Sequence, residues 1–124
     1  MSKQKFINQW LRHFAKNIER KELEKCFAYD FIWQIFSYGL LREETFLVGD
    51  AARMAYDHAD KAERIFCDMF GQYGVTDRIF EEYASSTNID ANITELCVVA
   101  KDYSCRYIKT YENDLCGPYF MKIK

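Results

Sequence analysis

One stretch organises the chain: residues 100–120, AKDYSCRYIKTYENDLCGPYF, the densest run of polar side chains set between aromatic ones. Together with the residues on either side, it predicts three successive strands, at Glu95–Lys101, Ser104–Tyr111 and Tyr119–Ile123. Short connections make these strands an antiparallel meander. The only proline, Pro118, lacks an amide hydrogen, so the last strand is expected at a sheet edge.

Apolar periodicity and capping residues predict the elements outside this stretch. Helices are predicted at 3–18 (capped by Ser2), at 21–27, from Asp50, as its cap, to 59, and at 77–84 (capped by Thr76). Strands are predicted at 31–36 and 65–70, and a loop at 85–88. Two strand–helix–strand units favour some parallel pairing. The predicted fold class is therefore α+β, with one mixed sheet of four to five strands and three to four helices packed on it. A chain of 124 residues is expected to be a single globular domain, 1–124.

Composition places the chain among globular proteins, because 49% of its residues are apolar and 17% aromatic. No apolar run approaches the length of a membrane span. The basic, interrupted start lacks the apolar core of a signal peptide, which predicts the cytoplasm. A membrane-surface role for the first helix is the weaker alternative to docking on the core. Five cysteines without C-x-x-C spacing argue against a disulfide framework or a zinc ribbon and favour small buried side chains.

Charge is segregated along the chain. Residues 1–25 carry seven Lys/Arg and three Asp/Glu, a balance of +4, whereas residues 43–95 carry four and twelve, a balance of −8. An acidic middle argues against nucleic-acid binding, which requires a basic surface. It fits a basic protein partner through complementary fields, and the alternative is an ordinary solvated surface.

Recognised catalytic motifs are missing from the sequence: there is no G-x-G-x-x-G, P-loop, G-x-S-x-G or H-E-x-x-H. The only histidines are His13 and His58. A catalytic pair of His58 with Cys105 or Cys116 would need the fold to bring them within hydrogen-bond reach. We therefore predict no catalytic residues, no metal ligands and no cofactor, and favour a protein that is not an enzyme.

A candidate ligand site is predicted at the C-terminal turn. Ser104 and Arg106 share one face of the strand predicted at Ser104–Tyr111, and Tyr107 and Lys109 share the other. Glu112 follows in the turn, and Tyr119 can form a wall. An arginine beside hydroxyls and a carboxylate can bind an anion or form a structural ion pair. Arg53 is added as a possible neighbour of Glu112. The structural alternative is a turn held by Asn113 and Asp114 with a minor surface ion pair.

Several short segments resemble a known family: Ile35–Gly39, Gly49–Tyr56, Ile65–Phe66, Lys101–Ser104 and Thr110–Phe120. They are similar to small bacterial proteins, common in firmicutes, described only as a domain of unknown function. The most specific segment is the Thr-x-Glu…Gly-Pro-Tyr-Phe pattern. The family has Trp-Thr where this chain has Cys105-Arg106, and His where it has Tyr111, which weakens an enzymatic interpretation. The resemblance implies a bacterial cytosolic protein and no particular activity.

Two functional hypotheses follow. The first is a non-catalytic protein-binding module of the immunity or antitoxin type, which binds a basic protein. The second is a small-molecule or enzymatic site at the C-terminal turn around Arg106 and Glu112. The second requires these side chains to converge in one concave pocket.

Overall fold

A computed structural model describes residues 2–26, 28, 34–37, 46–59, 63–71, 74–102, 105–110 and 117–122. Tertiary contacts divide the chain into two compact units, Met1–Glu44 (unit 1) and Thr45–Lys124 (unit 2). The single domain 1–124 stays a prediction, and each unit is described separately.

The described residues of unit 1 form the helices α1 (Lys3–Phe14), α2 (Arg20–Lys25) and α3 (Gln34–Ser37). The Ser2 hydroxyl accepts a hydrogen bond from the Lys5 amide at 3.1 Å, which confirms the predicted cap. Apolar side chains at three- and four-residue steps form one buried face of α1: Phe6, Ile7, Trp10, Leu11 and Phe14. We call this face the apolar stripe of α1. The helix ends earlier than the predicted residue 18.

The strand predicted at 31–36 is wrong where the structure describes it. Residues Gln34–Ser37 form one helical turn with Ile35 buried, and residues 31–33 lie outside the described part. A short apolar run is equally suited to a buried strand and to a buried helical turn, so periodicity does not distinguish them.

Unit 2 is built on a sheet whose strands, in the described part of the chain, are β1 (Leu47–Val48), β2 (Arg64–Asp68), β3 (Val75–Thr76), β4 (Leu96–Ala100), β5 (Cys105–Lys109) and β6 (Tyr119–Lys122). The spatial order is β1-β6-β5-β4-β2-β3. The α+β class and the single sheet are confirmed. Every pairing among the described strands is antiparallel, so the predicted mixed sheet is wrong. The six described strands slightly exceed the predicted four to five. β1 and β3 are not predicted because two residues are too short to show a period.

The predicted C-terminal meander is confirmed as β4-β5-β6, with Val98 opposite Tyr107 and Tyr107 opposite Phe120. The expectation that the last strand lies at an edge is wrong, because β6 pairs with β1 on its other side. Next to β6, the Pro118 carbonyl accepts a hydrogen bond from the Gly49 amide at 2.9 Å.

The helices of unit 2 differ from the predicted ones. They are α4 (Asp50–His58), a 3-10 helix at Glu81–Tyr83 and α5 (Ser86–Asn92). The helix predicted at 77–84 is wrong because Thr76 belongs to β3, opposite Phe66. The loop predicted at 85–88 is the start of α5. Asp50 does not cap α4, since the cap position is Gly49 with a φ of +67°, a region that glycine adopts without a steric penalty.

Both faces of the sheet are buried. On one face, α4 and α5 cover a core that contains Ala52, Tyr56, Phe66, Tyr83, Ile89, Leu96, Val98, Tyr107 and Phe120. The rings of Tyr56 and Tyr107 stack with centroids 4.4 Å apart. The opposite face carries Cys67, Cys97, Val99, Arg106, Ile108, Tyr119 and Met121, all buried.

Candidate functional site

The predicted site residues do not all lie on one side of the sheet. Arg106 and Tyr119 share one face, where Arg106 is 1% exposed and its guanidinium contacts the Met121 sulfur. Arg53 belongs to α4, which packs on the other face. Ser104 and Glu112 lie outside the described residues. The ligand site at the C-terminal turn therefore stays a prediction.

Arg53 instead belongs to a group of polar side chains between α4, α5 and β5. This interhelical polar cluster consists of Arg53, Asp90, Tyr107 and Lys109. The Arg53 Nε donates to Asp90 Oδ2 at 2.8 Å, and its Nη1 donates to Asp50 Oδ1 at 2.8 Å. The Arg53 and Asp90 side chains are only 15% and 25% exposed, so solvent screens this ion pair weakly. It ties α4 to α5.

Lys109 holds the end of α5. Its Nζ donates to the carbonyl oxygens of Ile93 at 2.5 Å and Thr94 at 3.1 Å. A cation at a helix C-terminus also interacts favourably with the helix dipole. Burial lowers the pKa of Lys109, and the nearby Asp90 carboxylate partly offsets this effect.

The two stacked tyrosines differ in their hydroxyl groups. The Tyr56 hydroxyl donates to the Tyr83 carbonyl oxygen at 2.5 Å. Within the described residues, the Tyr107 hydroxyl and Asp90 Oδ1 are buried with no hydrogen-bond partner. Burial raises the pKa of both tyrosines, so both hydroxyls are protonated at neutral pH.

Asp57 makes a further link between the helices. Its carboxylate accepts hydrogen bonds from the Ser86 amide at 2.7 Å and from the Ser86 hydroxyl at 2.8 Å. These bonds satisfy donors at the first turn of α5. Apart from the Arg53–Asp50 pair within α4, the polar contacts described above join one structural element to another.

The described residues offer little for catalysis. His58 is exposed at the end of α4, and both Cys116 and the Cys105 side chain lie outside what the structure describes. In the described ranges, no group of three or more His, Cys, Asp or Glu residues could hold a metal ion. None of the described helices is long and apolar enough to cross a bilayer.

A family model described as "Domain of unknown function (DUF4275)" matches residues 3–120. The chain belongs to this family. The resemblance to a domain of unknown function is thus confirmed. No curated protein and no solved structure matches the chain.

Three members of the interhelical polar cluster of this DUF4275 chain are not predicted as site residues: Asp90, Tyr107 and Lys109. Alternation along β5 places Tyr107 and Lys109 on one face, which the register confirms, but the predicted site lies on the other face, with Arg106. Asp90 belongs to α5. The sequence pattern predicts a loop for the first residues of this helix and no element for Asp90. The sequence signal for this cluster is a lysine and a tyrosine on the same face of a predicted strand.

Unit 2 exposes two acidic side chains and one apolar side chain at Asp77, Ile79 and Glu81. These three side chains alternate along the chain and all are exposed. Between them, Phe80 packs edge-on against buried Tyr83 at 5.8 Å, and the Arg78 guanidinium lies 4.9 Å from the Phe80 ring. We call residues 77–81 the acidic segment. Inward aromatic packing holds it in place while its acidic and apolar side chains face solvent.

Proposed function

We propose that this protein is a non-catalytic protein-binding module, of the immunity or antitoxin type, which binds a basic protein through the acidic segment. The observation that carries the proposal is the exposure of Ile79 between two exposed carboxylates. Ile79 is 48% exposed, and the Asp77 side chain is 68% exposed.

The composition of this surface supports binding to a protein. Specific interfaces combine an apolar centre with a polar rim. Here Ile79 supplies apolar area and Asp77 and Glu81 supply charge. Phe70, which follows β2, is a further exposed apolar side chain at 63%. Larger exposed apolar patches rimmed by polar residues are typical of interaction sites, and Ile79 and Phe70 would contribute to such a patch.

Charge supports a basic partner in particular. Residues 43–95 have a balance of −8, as counted above. Lys101 neutralises part of this charge through exposed ion pairs with Asp77 at 3.3 Å and Glu63 at 3.7 Å. Opposite charge on a partner would accelerate association and disfavour acidic competitors.

Polar groups that join the secondary-structure elements of unit 2 support a non-catalytic role. Arg53, Asp57 and Lys109 are each engaged in such contacts. These contacts stabilise the fold, whether the group is buried, as Lys109 is, or exposed, as Asp57 is. The exposed surface is therefore the better candidate for function.

The test is affinity capture from cells that encode the protein, followed by direct binding to the purified partner. We expect a basic partner that binds wild type and loses affinity when sodium chloride rises from about 0.1 M to about 0.5 M. The double variant Ile79→Ala/Glu81→Lys should lose at least about tenfold in affinity, because a central apolar contact and a charge contact are removed together.

A matched control is Met54→Ala/Glu22→Lys. It removes one exposed apolar side chain and reverses one exposed charge elsewhere. It should bind as wild type does. Equal binding by both double variants, or a partner that is not basic, would count against the proposal.

A further inference from the structure

The sheet face opposite α4 and α5 brings sulfur atoms together. In the pairing of β2 with β4, Cys67 lies directly opposite Cys97. Residues directly opposite in an antiparallel pair project from the same face with Cβ atoms about 5 Å apart. The Cys67 thiol also donates to the Met69 sulfur at 3.5 Å. Both cysteines are buried and are not in a disulfide.

We infer that Cys67, Cys97 and Met69 form a binding site for a soft monovalent metal ion, Cu(I). We call these three residues the sulfur cluster. Thiolate and thioether ligands favour Cu(I), zinc and iron–sulfur clusters over harder metals, and iron–sulfur clusters usually take four cysteines. Structural zinc takes four ligands, usually with Cys or His completing a tetrahedron. At this place the described residues supply two thiols and one thioether, which fits the lower coordination number of Cu(I).

Charge balance supports the assignment. Binding of Cu(I) releases the two thiol protons, forms two Cu–S bonds and involves no change of oxidation state. Two thiolates and one Cu(I) leave a net charge of −1 in the interior, where an unpaired charge is costly. A cation beside the sulfur cluster would offset that cost.

Arg106 is that cation. On β5 it lies opposite Val99, while Ile108 lies opposite Cys97, so Arg106 is the diagonal neighbour of Cys97 on the same face. Diagonal neighbours in an antiparallel pair lie about 7–8 Å apart, within reach of a long side chain. Arg106 is also 1% exposed, so its positive charge is placed in the same interior as the two thiols.

The experiment is competition for Cu(I) between the whole purified protein and a coloured Cu(I) chelator, without oxygen and with a reductant. We expect wild type to withhold one equivalent of Cu(I) per chain. Cys67→Ala and Cys97→Ala should each abolish this, and Met69→Leu should weaken affinity by about tenfold or more. Cys26→Ala is the matched control, because Cys26 is also a buried thiol but belongs to unit 1, and it should retain wild-type affinity.

Two results would overturn the inference. One is a wild-type protein that withholds no Cu(I) from the chelator. The other is a Cys67→Ala/Cys97→Ala variant that holds as much as wild type. Because alanine in the core can prevent folding, X-ray absorption on the wild-type copper complex gives a second measurement. A sulfur-only shell supports the inference, and nitrogen or oxygen ligands contradict it.

A triple variant tests whether Cu(I) binds at the sulfur cluster and not at other thiols of the chain. Cys26→Ala/Cys105→Ala/Cys116→Ala keeps only Cys67 and Cys97. This variant should bind one Cu(I) with wild-type affinity, and loss of binding with the fold intact would assign the metal to other thiols and reject the sulfur cluster. The sulfur cluster and the acidic segment share no residue, so either proposal can fail alone.

Discussion

Tyr56 and Tyr107 stack on one another, but their hydroxyl groups are in different situations. Only the Tyr56 hydroxyl has a hydrogen-bond partner in the described part of the chain. A buried hydroxyl without a partner costs free energy, whereas a buried hydrogen bond contributes a small net gain. Replacing each tyrosine by phenylalanine therefore measures what its hydroxyl contributes to the free energy of unfolding while the stacked rings are kept.

We predict that Tyr107→Phe leaves the free energy of unfolding unchanged or raises it by up to about 1 kcal/mol, because it removes an unsatisfied polar group. Tyr56→Phe should lower it by about 1 kcal/mol, because the Tyr83 carbonyl loses its donor. Urea unfolding followed by circular dichroism measures both. A larger loss in Tyr107→Phe than in Tyr56→Phe would show that the Tyr107 hydroxyl is hydrogen-bonded in solution.

The same tyrosines predict the response to alkaline pH. Their pKa values are raised by burial in the folded chain, whereas unfolded tyrosines ionise near pH 10. Above that pH the unfolded chain holds fewer protons than the folded chain, so stability falls as pH rises. Each such group contributes a slope of about 1.4 kcal/mol per pH unit.

Single substitutions check this slope. In Tyr56→Phe and in Tyr107→Phe, the loss of stability between about pH 10 and pH 11 should be shallower than in wild type by roughly one proton's contribution. Comparison with wild type cancels the opposing effect of Lys109, whose lowered pKa makes stability rise with pH below its unfolded pKa. An unchanged slope in both variants would mean that these tyrosines ionise in the folded state.

At the scale of elements, α5 shows why a helix can be missed. Its sequence, Ser-Thr-Asn-Ile-Asp-Ala-Asn, is rich in residues of low helix propensity, so the segment resembles a loop. The helix forms because the Ser85 hydroxyl accepts from the Asn88 amide at 3.1 Å, Asp57 binds Ser86, and Ile89 is buried. Two of these three causes depend on the tertiary structure.

We predict that Asp57→Ala lowers the free energy of unfolding by about 1–2 kcal/mol, since it leaves two donors at the start of α5 without their acceptor. The neighbouring His58→Ala is the control. His58 is exposed at the end of α4, so its removal should change stability by less than about 0.5 kcal/mol. Equal effects would mean that Asp57 acts only as a surface charge.

Residues 77–84, which include the acidic segment, illustrate the opposite error, an α-helix predicted where only a 3-10 turn forms at Glu81–Tyr83. The apolar residues at 79, 80 and 83 have helical spacing, but β3 pairs with β2 up to Thr76. The Thr76 hydroxyl accepts from the Arg78 amide at 3.1 Å, which favours a turn over a helical start. Ile79 is consequently exposed and not buried. The surface on which the proposed function depends was therefore not visible in the apolar pattern.

For the molecule as a whole, the order of strands predicts which backbone amides in the sheet of unit 2 are most protected from hydrogen exchange. β4 lies between β5 and β2, while β3 and β1 are edge strands of two residues each. Central, buried strands open only with larger parts of the fold, whereas short edges open locally. Stability should therefore decrease from the centre of the sheet to both edges.

Amide hydrogen exchange tests this order on two β-branched residues, Val98 in β4 and Thr76 in β3. We expect the Val98 amide to exchange at least about 100-fold more slowly, because its opening approaches global unfolding. The measurement is exchange followed by NMR at neutral pH. Similar rates would show that the β2–β3 pairing is as cooperative as the centre of the sheet.

The sequence by itself determined features that depend on near neighbours along the chain: the stripe and the Ser2 cap of α1, the alternation of faces along β5 and the meander of β4, β5 and β6. These follow from local periodicity and capping, and a whole-chain pattern also placed the protein in its family. Only the tertiary structure decided that the described strands pair antiparallel throughout, that Arg53 meets Asp90 and that Cys67 faces Cys97. Such contacts join residues far apart in sequence. They form because burying both faces of the sheet selects one set of pairings, and no local pattern contains that selection.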